Sequence, residues 1–214
     1  MMNIGTYNVI GSDVKIGENV TIGNYCMIED GVEIGDNTLI KNFVELRKDT
    51  KIGKDCKIDS RVSTSGDCII GDCVTLRYSV IVARKVEIED KCFIAPQVMF
   101  NFSDPSGEQH PGTIVGAGSF IGTNSTIHHG VRIHPGTIVG AKSFVNKDIT
   151  EPGIYMGVPA VYKKKAPDVK HDLFKPFGWV CQLCGKPLCH ANTACPVAVI
   201  CDTCGDKRRN KKNG

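Results

Sequence analysis

Most of the chemistry available to this 214-residue chain rests on three histidines and six cysteines. His128 and His129 are adjacent, and His110 lies in the segment NFSDPSGEQHPG, Asn101 to Gly112, where Asp104 and Glu108 are the only other ionisable groups. An imidazole titrates near neutral pH and can take a proton from an amine or hydroxyl attacking a thioester. The cysteines crowd into residues 181–204, where Cys181-x2-Cys184 and Cys201-x2-Cys204 are separated by sixteen residues and each pair is followed by Gly. That spacing suits one tetrahedral, four-thiolate zinc ion in a closed structural site. A segment so short has too little core to fold unaided, so zinc is expected to supply its stability. Cys189, His190 and Cys195 could form or complete a site, though with two such pairs present they read more readily as spare.

What must position the histidines is a six-residue rhythm. From Ile4, steps of six give Ile10, Ile16, Ile22, Ile28, Ile34, Ile40, Leu46, Ile52, Ile58, Thr64, Ile70, Leu76, Val82, Ile88, Ile94 and Phe100, and fifteen of these seventeen positions are aliphatic. Four residues after each, from Val14 to Val98, a second register holds only Val, Cys or Thr. A period of six is a multiple of two and not of 3.6, so it belongs to short strands broken by corners. Gly often follows the aliphatic residue (Gly5, Gly11, Gly17, Gly23, Gly35, Gly53, Gly71), where it is expected to give the backbone freedom to turn. Self-similarity at a fixed period marks a solenoid, in which each unit buries its apolar edge on its neighbours. The fold class is therefore all-β.

After Phe100 the rhythm fails and resumes at Val115, so nine residues are extruded as a loop within 101–112. A loop on a rigid scaffold is where function concentrates. Arg77 and Arg84 project from successive hexads below the loop and are candidates to pair with a diphosphate.

These residues resemble the hexapeptide-repeat acyltransferases over about residues 1–165. The resemblance implies a left-handed parallel β-helix of triangular cross-section, three hexads to a coil, with trimers that place active sites between subunits. On a coil of that size, with the nine loop residues discounted, His128 is expected to stack above Asn101 and His129 above Phe102, at the root of the loop that carries His110, and His134 above Gly116, farther round. The stretches VEIEDKCFIAPQVMFNFSDP and GAGSFIGTNSTIHHGVRI look like sugar-nucleotide N-acetyltransferases of that superfamily, which acylate an amino group on a nucleotide-linked sugar. The ending VGAKSFVNKDITEPGIYMGVPAVYKKK matches the superfamily's closing pattern along the acyl-CoA site. Carried over, Gly122, Gly140, Ala141 and Lys142 line a pantetheine groove through backbone groups and a cation. Pro159 and Ala160 lie near the adenine, with Lys163 or Lys164 near phosphate. The substrate-facing set is Arg77, Arg84, Asn101, Asp104 and Glu108. His110, able to close over the acceptor, leads His128 and His129 as the candidate base.

The expected organisation is a β-helix over 1–165, a connector over 166–178, a zinc ribbon over 179–206 and a basic tail over 207–214. Residues 1–100 carry 12 Lys/Arg against 15 Asp/Glu, and residues 101–214 carry 14 against 8. The excess sits in Lys163 to Lys165 and in the tail, which reads as a solvated tail more readily than as a nucleic-acid surface. The sequence MMNIGTYNVIGSD has no basic then apolar leader pattern, and no apolar run approaches spanning length, so a cytoplasmic protein with reduced thiols is expected. The leading expectation is an acetyl-CoA-dependent N-acyltransferase acting as a homotrimer. One alternative is a γ-type carbonic anhydrase, for which His129-x4-His134 supplies half a ligand set, but the positions about two coils earlier, Phe93 or Arg84, are not histidine. The other is a non-catalytic adaptor binding nucleic acid or protein through the ribbon and tail.

Overall fold

The computed structural model describes residues 3–102 and 112–166. Twenty-five strands wind through them, all but the last two only two residues long. They stack as three sheets of ten, eight and seven strands, parallel except for the final pair. Partners are eighteen residues apart, as in Ile4↔Ile22 and Ile40↔Ile58, so three hexads make one coil. The chain is the β-solenoid its period implies. Across the loop the spacing becomes twenty-seven, Ile88↔Val115 and Phe100↔Ile127, which extrudes nine residues without breaking any sheet. Among the described residues, no helix is long and apolar enough to cross a membrane.

Each two-residue strand points one side chain inward, and the aliphatic series forms one continuous core from Ile22 to Val145. The second register is buried too, and it does more than fill space. Cys26, Thr38, Cys56, Cys68, Ser119 and Ser125 each donate to the carbonyl fifteen residues ahead, at 3.0, 3.0, 3.0, 3.1, 3.3 and 2.9 Å. This satisfies a buried polar atom at each corner. Thr64, the polar member of the aliphatic series, is accommodated because its hydroxyl meets that of Thr50 at 2.9 Å.

The glycines after the aliphatic residues act differently from the expectation. Gly17 and Gly53 are not in the left-handed region; a Cβ on them would sit 2.3 and 2.4 Å from the Oδ1 of Asp36 and Asp72. Those carboxylates accept the N–H of Glu18 at 2.6 Å and of Lys54 at 2.9 Å, tying each turn to the coil above. Gly is required for close approach, and positive φ falls on the residue two positions later. There even Tyr7, Tyr25 and Phe43 adopt it, at 59°, 56° and 58°, an uncommon conformation for bulky side chains. Their rings stack at 5.0 and 5.3 Å.

The solenoid closes on an antiparallel pair, Ile154–Met156 with Val161–Lys164. The amide N–H of Ala160 donates to Phe144 O at 2.7 Å, and Gly157 N–H donates to Ser143 Oγ at 3.1 Å, anchoring the hairpin to the last coil. The chain divides after Asp168. The connector, the ribbon with Cys181, Cys184, Cys201 and Cys204, and the basic tail lie outside the described residues.

Candidate active site

The second sheet presents His128. Thr126 points outward, Ile127 inward and His128 outward again, so the imidazole follows directly from strand alternation. The pairing Phe100↔Ile127 puts His128 one coil above Asn101, and the amide N–H of Asn101 donates to Ile127 O at 2.9 Å. Above, Ile127↔Val145 brings Asn146 into the same column. His128 thus stands between two carboxamide-bearing rungs.

His129 packs edge-on against His128, ring centroids 3.9 Å apart, and Phe144 meets the His128 ring at 5.9 Å, also edge-on. Both imidazoles are half-buried. The backbone beneath them is pinned: His128 N–H donates to Val145 O at 2.8 Å, and its carbonyl accepts the Thr113 hydroxyl at 3.2 Å. Thr113 is itself buried and sits just past the loop. On the same sheet, one and two coils lower, Met99 and Ile81 stand exposed as an apolar strip. The arrangement offers two proton acceptors, amide groups above and below, and an apolar flank, on a backbone with little freedom to move.

The loop residues Asp104, Glu108 and His110 lie outside the described residues. Arg84 falls on the corner of His129, two coils below it with Phe102 between, and pairs with Asp67 at 3.4 Å. Both side chains are about half exposed, so the pair is screened and the guanidinium stays available. Arg77 follows the first sheet and turns at a different corner from Arg84. His134 stacks above Gly116 as expected, and its Nδ1 lies 2.8 Å from Pro135 O. Among the described residues no three His, Cys, Asp or Glu side chains gather as a metal site.

Gly122 and Gly140 stack on the corner of Arg77, with Ala141 and Lys142 exposed beside them. Their N–H groups are committed to Val139 O and Tyr155 O, both at 2.8 Å, and a Cβ on Gly122 would meet Ala141 N at 2.5 Å. Gly122 is therefore explained by coil contact before any ligand is invoked. Pro159 is exposed after a cis Val158–Pro159 bond, Ala160 packs against the core, and Lys163 and Lys164 are exposed on the final strand. Sequence reasoning missed Phe144, Thr113 and Asn146; stepping eighteen residues from Thr126 and His128 finds the first and last.

The comparisons bear on the fold. Residues 13–48 and 112–147 match the bacterial transferase hexapeptide family, described as six repeats. These stretches lie on both sides of the loop. No curated protein sequence matches the chain. Among solved structures, a UDP-N-acetylglucosamine acyltransferase from Campylobacter jejuni is 19% identical, with 75% of this chain and 74% of that chain covered and a TM-score of 0.57. A UDP-N-acetylglucosamine O-acyltransferase from Moraxella catarrhalis is 19% identical over 76% and 69%, with a TM-score of 0.52. A further UDP-N-acetylglucosamine acyltransferase reaches 0.61 at 21% identity over 76% and 74%. At such identities the likeness is one of fold.

Proposed function

We propose that the chain is an acyl-CoA-dependent N-acyltransferase that moves an acetyl group to the amino group of a nucleotide-linked amino sugar. The observation that carries this reading is the His128–His129 pair, held on a rigid rung at the root of the extruded loop. In the reaction the amine attacks the thioester carbonyl, the C–N bond forms, and the C–S bond breaks to release the thiol of CoA. The surplus amine proton passes to an imidazole, His128 or His129 from the coil or His110 from the loop. Positioning on an inflexible backbone contributes by removing the entropy of bringing the reactants together. Arg84, on the histidine corner and half exposed, is the cation for the acceptor's phosphates. Lys163 and Lys164 are exposed near the solenoid's end and suit the phosphates of CoA, with the exposed Lys142 as the cation of the pantetheine groove. A homotrimer would cover the apolar strip at Ile81 and Met99 and complete the site between subunits.

O-acylation is the second reading. A hydroxyl needs a base more than an amine does, and the two-imidazole site supplies one; the similar folds above include an O-acyltransferase acting on UDP-N-acetylglucosamine. The test is thiol release from acetyl-CoA across matched nucleotide-sugar acceptors bearing an amine or a hydroxyl at the same carbon. Turnover with the amine series alone supports N-acylation, and turnover with the hydroxyl series alone transfers the assignment to O-acylation. No acceptor-dependent thiol release from either series would overturn the acyltransferase reading.

A further inference from the structure

Asp59 is a buried carboxylate in the wall of the solenoid, its side chain 7% exposed, and two cations converge on it. Lys41 Nζ lies 2.9 Å from Oδ1 and Arg77 Nε lies 2.7 Å from Oδ2. The three residues follow Ile40, Ile58 and Leu76 in stacked strands, so they occupy successive rungs of one column. The column is uncharged on either side: Gly5 and Gly23 come before it, Ala95, Gly122 and Gly140 after it. The approaches are those of ion pairs, yet Asp59 Oδ1 and Arg77 Nε make no aligned hydrogen bond. Burying charge in poorly aligned pairs is a weak way to stabilise a fold, and apolar residues of like size would serve as well. A function explains the column better than stability does.

One carboxylate against two cations leaves a surplus positive charge, and Asp59 meets the single Nζ of Lys41 and only one of the three guanidinium nitrogens of Arg77. Lys carries three donors and Arg five, so most remain for another acceptor. The guanidinium is further oriented from behind, lying 5.9 Å above the ring of Phe93, which stacks on Phe120 at 5.3 Å. Arg61, exposed on the turn just after Asp59 and 5.8 Å above the Phe43 ring, adds a third cation. The turns 41–43, 59–61 and 77–79 therefore carry Lys41, Arg61 and Arg77 against Asp59, a net charge of +2 (three minus one). Residues 1–100 as a whole are at −3 (12 minus 15). A local basic site on an acidic half, with its guanidinium held between a buried carboxylate and an aromatic ring, has the construction of an anion clamp.

We infer that Lys41, Asp59, Arg61 and Arg77 form a binding site for a phosphoryl anion, in which Asp59 is the positioning residue that aims Arg77. The inference depends on the proposed function only for the ligand's source, a nucleotide-linked acceptor or the phosphates of CoA. Isothermal titration of the full-length protein with inorganic pyrophosphate, UDP and CoA, at low ionic strength and with no acyl acceptor, reads it directly. Pyrophosphate binding should weaken about tenfold in Arg77→Gln, and also in Arg77→Lys, which keeps the charge and loses the fork. Asp59→Asn is the decisive variant. It makes the site more positive, so simple charge attraction requires tighter binding, whereas positioning requires weaker binding.

Tighter binding of UDP than of pyrophosphate assigns the site to the acceptor, and tighter binding of CoA assigns it to the donor. Absence of pyrophosphate binding, unchanged affinity in Arg77→Gln, or equal or tighter binding in Asp59→Asn would overturn the inference. Should Asp59→Asn fail to fold by circular dichroism, the Arg77→Lys comparison decides alone. Because no transfer is measured, failure of the acyltransferase reading leaves this result standing, and the reverse holds as well.

Discussion

Thr113 donates its hydroxyl to the carbonyl of His128, 3.2 Å away and one coil above. Thr113 is the second residue after the described break at the loop, so a single hydrogen bond links the loop's return to the backbone of the candidate base. Thr113→Val keeps the β-branched shape and removes the donor. The expected result is a fall in kcat of about tenfold with the Michaelis constant for acetyl-CoA unchanged, and recovery in Thr113→Ser. Equal kcat in the valine and serine variants would show that the bond serves the fold alone.

The base itself is separated by three single substitutions. If the coil supplies it, His128→Ala or His129→Ala should lower kcat by about 10²–10⁴ and His110→Ala should be mild. If the loop supplies it, the order reverses. Near-normal kcat in all three means that no histidine here is the base, that the amine attacks unassisted, and that the loop serves only to position it.

The fold was legible because its signal repeats: an aliphatic residue every six positions admits few alternatives, and Ile88↔Val115 lies where discounting nine residues puts it. The stacking of His128 on Asn101 followed from the same arithmetic. What the sequence left hidden were contacts between coils that no local pattern encodes. Gly17 looks like a turn residue until Asp36, nineteen positions on, is seen to fill the space its Cβ would take. Cys56 looks like a small apolar side chain until its Sγ is found 3.0 Å from Gly71 O. Arg77 and Arg84 look equivalent by spacing, yet they turn at different corners, and only one rests on a buried carboxylate.

Gly53→Ala tests the close-approach argument. A Cβ there would lie 2.4 Å from Asp72 Oδ1 and 2.7 Å from the Gly71 carbonyl carbon, so the turn or the coil above must shift. The expected cost is about 1–3 kcal/mol, read as a lowered midpoint in urea with unchanged slope. A matching substitution at Gly118, which has φ +67° and no atom within 4 Å of where a Cβ would stand, would be strained by backbone conformation instead. Adding Asp72→Ala should relieve part of the Gly53→Ala cost and none of the Gly118→Ala cost.

The paired cysteines beyond the described residues give a compositional prediction. One zinc per chain is expected, held by Cys181, Cys184, Cys201 and Cys204, because the two Cys-x2-Cys pairs offer four soft ligands at ribbon spacing. Elemental analysis of the purified protein should find that zinc and should lose it in Cys184→Ser. Zinc content unaffected by Cys184→Ser sinks the assignment, and a second zinc lost in His129→Ala would revive the carbonic anhydrase alternative.

The buried thiols predict how stability changes in alkali. Burial pushes Cys56 and Cys92 up to about 12 and Cys68 to about 11, from an ordinary value of 9.0. Raised values mean that the folded state keeps its protons after the unfolded chain has begun to lose them. The stabilisation is therefore complete below about pH 9 and is lost as pH rises from there through the folded-state values. Over that window each thiol should contribute a slope of about 1 kcal/mol per pH unit. Comparing urea midpoints of the wild type and Cys56→Ala from pH 8 to 10.5 isolates one such term from the lysines and tyrosines that titrate alongside. The variant should be the less stable at pH 8, and the gap should narrow as pH rises. A gap that stays constant would mean that the Cys56 thiol ionises alike in both states, and that its 3.0 Å contact with Gly71 O does not depend on holding its proton.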